Sequence, residues 1–167
     1  MSRVAFDWVD AFTDRAFGGN GCALFHDAGH LDDDTCMAIV RETSLVECTF
    51  VEPSERADFK VRYFLAAREI PFAGHPTLAT AAALVDRGLV PGDRVAFETG
   101  AGIVPVDVVS RGAVPVCAMT QVAPVFDEAL SRGLVAEVVG LAPEDIIGQP
   151  QVVSTGLPFC ITVIDSA

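Results

Sequence analysis

After His75 and Pro76 the chain runs from Thr77 to Val85 as TLATAAALV, with almost no polar group. Pro76 suits the first helical position, which places His75 at the N-cap and Gly88 at C′. The stretch is therefore expected to be a helix from Pro76 to about Arg87. A helix that is apolar on every side must be surrounded by protein. The rest of the chain reads mostly as short strands, so the available enclosure is a strongly curved sheet or barrel. The small alanines let that sheet come close. The expected class is α+β, a curved mixed sheet or barrel wrapped around a central apolar helix.

Alternation and β-branched content predict strands near Val4–Val9, Cys22–Phe25, Cys48–Glu52, Phe59–Leu65, Arg94–Glu98, Ile103–Val109, Val114–Gln121, Gln151–Ser154 and Phe159–Ile164. Two more helices are expected. One starts in Asp32-Asp33-Asp34, acids suited to a helix N-terminus, and runs to about Thr43. The other is amphipathic and runs from Asp127 to about Gly140. Arg111-Gly112-Ala113 reads as a linker, after which a similar arrangement begins again. The expected domains are 1–112 and 113–167.

The charge narrows the partners. With 23 acids against 11 bases the net charge is −12, and a phosphate backbone would be repelled, so nucleic acid is not an expected partner. The N-terminus has no basic region followed by an apolar run, and no window offers 18 uninterrupted apolar residues, so neither a signal peptide nor a membrane span is expected. Five scattered cysteines without CxxC or zinc spacing point to free thiols in a reducing cytoplasm. No metal is implied: His26 and His30 flank Gly29 in a loop, which is weak as a ligand pair.

Three places could carry chemistry. The start of the apolar helix leaves unpaired amides near Thr77 and Leu78, with Gly74 permitting close approach and His75 at the mouth. This is either a pocket for a small carboxylate or a helix end with a satisfied histidine. Glu47, between Val46 and Cys48 at the start of an apolar strand, is either a solvent-facing residue or a desolvated acid with a raised pKa, suited to proton transfer. The loop FGGNGCALF, with Asn20 at its turn, is a lone Gly-rich segment that a tight turn explains equally well. Cys22 has no basic neighbour in sequence and reads as a packed thiol.

Three stretches occur together in order: VDAFTDRAFGGNGCALF (9–25), RETSLVECTFV (41–51) and EIPFAGHPTLAT (69–80). With MTQVAPVF (119–126) and STGLPFCITVI (154–164) they resemble the PhzF-like family of phenazine-biosynthesis isomerases, over essentially the whole chain. The resemblance implies a diaminopimelate-epimerase-like fold, two similar domains each curling a sheet around a helix. It also implies cofactor-free proton relocation on a small carboxylated substrate in the cleft between them. Glu47 would be the general acid/base and His75 the active-site histidine. Gly74, Pro76, Thr77 and Asn20 would lie at the substrate. Related two-thiol racemases need a cysteine where this chain has Ala73. A racemase or epimerase without thiols, and a non-catalytic carboxylate-binding or scaffold subunit, remain as alternatives. Family chains are longer, so the resemblance implies a second domain begun but not finished, and a homo-oligomer or a complementary second-half chain as partner.

Overall fold

The computed structural model describes residues 3–165. Its contacts divide the chain into two compact units, separated between Thr120 and Gln121.

The first unit is a single curled mixed sheet with one helix inside and one outside. Its strands are β1 (Phe6–Ala11), β2 (Asn20–Phe25), β3 (Cys48–Glu52), β4 (Phe59–Phe64), β5 (Glu69–Ile70), β6 (Arg94–Thr99), β7 (Gly102–Arg111) and β8 (Pro115–Met119). They lie in the order β1-β2-β3-β4-β6-β7-β8, with the short β5 beside β4. β2 with β3 and β4 with β6 run parallel, and the other neighbours antiparallel. The central strands are buried on both faces, which is why CALF and TFV read as unbroken apolar runs rather than alternating ones.

Outside the sheet, α1 (Asp33–Thr43) begins where the acids place it: the Asp32 carboxylate accepts the Thr35 amide at 2.8 Å. Its Cys36 and Val40 pack on Phe25, Cys48, Phe50 and Phe64. Inside the curl, α2 (Gly74–Asp86) touches β1, β2, β3, β7 and β8, so strands at both ends of the sheet order meet the same helix. This is the enclosed apolar helix expected from the sequence, on an α+β scaffold.

Two details of α2 differ from expectation. It begins at Gly74 with Ala73 at the N-cap, so His75 is already helical and Pro76 is the third helical residue. Proline is tolerated there because the first amides of a helix have no intrahelical acceptor. The enclosure is also incomplete: Leu78 and Ala82 are only half-buried, and they floor a groove of about 970 Å³ lined by β1 on one side and Ala113–Cys117 on the other. The helix ends as anticipated, with Gly88 at φ +72°.

Residues 112–114, which overlap the Arg111-Gly112-Ala113 stretch read as a linker, connect β7 to β8, which pair antiparallel. The second unit holds β9 (Val125–Ala129), α3 (Arg132–Val139), β10 (Ile146–Ser154) and β11 (Pro158–Ile164), with strand order β11-β10-β9. The helix expected from Asp127 starts only at Arg132, capped by Ser131, whose hydroxyl accepts the Leu134 amide at 3.4 Å. Residues 125–129 pair with β10 instead. β10 also starts earlier than expected, and the other strand ends shift by one or two residues.

Candidate active site

Parallel pairing of β2 with β3, with Ala23 opposite Cys48, brings the starts of both strands to one end of the sheet. Glu47 immediately precedes β3 there. The first turn of α2 arrives at the same place and carries His75. His75 Nδ1 lies 4.0 Å from Glu47 Oε2, with both side chains largely buried. That separation is too long for a hydrogen bond. Glu47 Oε2 and His75 Nε2 are both buried, and neither finds a hydrogen-bond partner among the described residues. A buried polar atom left unpaired costs free energy, so such atoms are rare outside places with a use for them.

Burial sets the protonation of both groups. It pushes the Glu47 carboxyl up and the His75 imidazole down, the latter partly offset by the Gly21 backbone beside the ring. Each is thereby biased toward its neutral form. With the proton on Glu47 and the ring neutral the pair bears no charge, and a carboxyl whose pKa is raised gives up and takes back a proton more readily than an ordinary one, which suits proton transfer.

The helix start supplies the electrostatic complement. The amides of Gly74 and His75 precede the first intrahelical bond, whereas the Thr77 amide already points to the Ala73 carbonyl, at 3.4 Å. The donors left free among the described residues thus lie at Gly74 and His75, ahead of the amides near Thr77 and Leu78 named from sequence, because the helix itself starts two residues earlier. A Cβ built on Gly74 meets nothing within 4 Å, so space is open beside these donors. Pro76 and Thr77 are buried; Asn20, at the start of β2, is exposed. Gly21 follows it, close to the His75 ring.

Other candidates lie elsewhere. Cys22 is fully buried on the inner face against Ala79, and burial pushes its thiol up to about 12, so it stays protonated and inert. His26 is engaged by Asp7 at 2.8 Å, and His30 by the Asp27 carbonyl at 3.0 Å.

Tyr63, the chain's one tyrosine, and the hydroxyls of Thr49 and Thr80, 3.0 Å apart, are also buried in this unit, and no motif in the sequence marks them. The available signal is parity: Val61 and Tyr63 share the inward face of β4.

Comparison with known proteins gives a consistent picture. A family model described as phenazine biosynthesis-like protein matches residues 9–167. The trans-2,3-dihydro-3-hydroxyanthranilate isomerase of Pseudomonas aeruginosa is 37% identical over 124 residues, covering 71% of this chain and 43% of that protein. Among solved structures, an epimerase-like protein of P. aeruginosa superposes with a TM-score of 0.86 at 35% identity, covering 98% of this chain and 60% of its own. A PhzF-family phenazine biosynthesis protein of Bacillus anthracis gives 0.83 at 30%, covering 98% and 57%. The chain spans about half the length of the relatives it matches.

Proposed function

The chain belongs to the phenazine biosynthesis-like family, and from that premise we propose that it is an isomerase, or the N-terminal portion of one, that relocates a proton on a small carboxylated metabolite without a cofactor. The observation that carries this is the Glu47–His75 pair: two ionisable groups 4.0 Å apart, each buried with an unpaired polar atom, beside free helix amides.

In this reading the substrate carboxylate lies against the Gly74 and His75 amides, where the helix dipole favours an anion. Glu47, ionised, removes a proton from the carbon next to an unsaturated or carboxyl group, and the electron pair delocalises into that group. The protonated carboxyl then returns the proton to another carbon, so atoms and charge balance and nothing is consumed. His75 orients or shares the proton during transfer. Ala73 leaves no thiol at this turn, which disfavours a two-thiol racemase.

Deuterium wash-in tests the reaction. The probes are small unsaturated carboxylates, beginning with trans-2,3-dihydro-3-hydroxyanthranilate, the compound in the name of the P. aeruginosa relative. The protein in D₂O should introduce solvent deuterium into its substrate, and Glu47→Gln should cut the rate by roughly 10²-fold or more while binding survives. Binding of a probe with no exchange would make the protein a carboxylate-binding subunit. Undiminished exchange in Glu47→Gln would remove Glu47 from its role.

A further inference from the structure

The helix that carries His75 starts without a capping side chain, since Ala73 stands at its N-cap. What holds that turn is a hydroxyl pair from the core. Thr77 Oγ1 donates to the Ala73 carbonyl at 2.6 Å. A threonine hydroxyl has one proton, and this one is committed to an acceptor. The 2.7 Å contact between Tyr63 and Thr77 therefore has Tyr63 as its donor. Tyr63 is fully buried on the inner face of β4, and its ring stands edge-on to Phe72 at 6.1 Å. One tyrosine thus grips the turn on both sides of Ala73-Gly74-His75, at Phe72 before it and Thr77 after it. The charge of Glu47 reaches both Tyr63 and Cys22, so all three share one neighbourhood.

A phenylalanine would pack here as well. The hydroxyl adds a buried polar group whose cost is met, among the described residues, only by Thr77, two residues past His75. We propose that Tyr63, acting through Thr77, is a positioning residue for His75. The directional pair Tyr63 Oη–H to Thr77 Oγ1, and Thr77 Oγ1–H to the Ala73 carbonyl, fixes the first turn of α2 and with it the separation of His75 from Glu47. This assignment rests on the proposed roles of Glu47 and His75, but its central readout needs no substrate.

The experiment follows the His75 ring by nitrogen-detected NMR across pH in the whole protein, with and without Glu47→Gln. In the parent, Glu47→Gln moves the His75 midpoint, because the two groups are neighbours. In Tyr63→Phe and in Thr77→Val that response shrinks or vanishes, and the midpoint drifts toward that of free histidine. Thr77→Ser keeps both hydrogen bonds and restores the parental titration, which a loss of packing alone would not predict. If Tyr63→Phe fails to fold, the contrast of Thr77→Val with Thr77→Ser decides the matter. Folded Tyr63→Phe and Thr77→Val proteins with the parental titration and the parental response to Glu47→Gln would overturn the proposal. Deuterium exchange should fall roughly 10- to 100-fold in the same two variants, the scale of a small misplacement of a reacting group. An altered titration in a protein that exchanges no probe would leave the positioning role standing and sink the isomerase reading instead.

Discussion

Glu47 and His75 respond to pH in opposite senses, because burial disfavours the charged form of each and their charges differ in sign. The folded pKa of His75 lies below its ordinary 6.5. As pH falls below 6.5 the unfolded chain takes up that proton first, so the stability contributed by the neutral ring is lost as pH falls toward the folded value. The folded pKa of Glu47 lies above its ordinary 4.5. There the folded state keeps the proton longer, so stability is present at low pH and lost as pH rises from 4.5 through the folded value. His75→Gln should therefore flatten the acid-side decline below 6.5. Glu47→Gln should raise stability at neutral pH, where the parent bears a half-buried carboxylate whose Oε2 has no hydrogen-bond partner among the described residues. Urea denaturation at a series of pH values checks both. A Glu47→Gln protein less stable than the parent at neutral pH would mean that the carboxylate is satisfied, and its case as a proton-transfer group would weaken. The expected direction, more stable and less active, is the usual trade at a site built to react.

Within α2 the faces are unequal, and substitution can tell them apart. Ala81 is fully buried, while Ala82 is half-buried beside Leu78 over the groove between β1 and β8. Ala81→Glu places an unpaired carboxylate in the core and should cost about 3 kcal/mol or more. Ala82→Glu can reach toward the groove and should cost about 1 kcal/mol or less. Equal losses in denaturant titration would show that the groove face is as dry as the core. The helix itself is legible because nine nearly apolar residues admit few alternatives. Its first residue is not, because a proline fits the first and the third helical positions alike, and only the backbone of Ala73 decides between them. The motif names Glu47 and His75, and folding brings them together. The grip of Tyr63 on Thr77 leaves no trace in sequence: Phe59 to Tyr63 alternate as in any strand with one face inward, and nothing local reveals a partner fourteen residues on. β9 is misread for a related reason. Asp127 and Glu128 look like a helix start, but pairing with β10 outweighs that local preference.

In the second unit, α3 covers only one side of the three-stranded sheet. Val135 and Ala136 of α3 pack on Ile146. Ile147, the next residue, faces the other way and lies opposite Val163 of β11. Alternation along β11 puts Ile161 and Phe159 on that same side, and Ile147, Phe159, Ile161 and Val163 are all exposed. A contiguous apolar face of this kind marks an interaction surface or an aggregation liability. The charge of −12 opposes association, since any two copies repel. Repulsion between exposed charges is screened by salt, whereas apolar burial is not weakened by it. The protein should therefore self-associate at micromolar concentration, and more strongly as salt is raised. Ile161→Lys combined with Phe159→Lys should return it to a monomer, by removing apolar area and by adding charge to the contact. Sedimentation equilibrium at low and high salt makes the measurement. A monomer at every salt concentration would show that this face does not drive association. Association that weakens with salt would point to charged contacts rather than to the sheet.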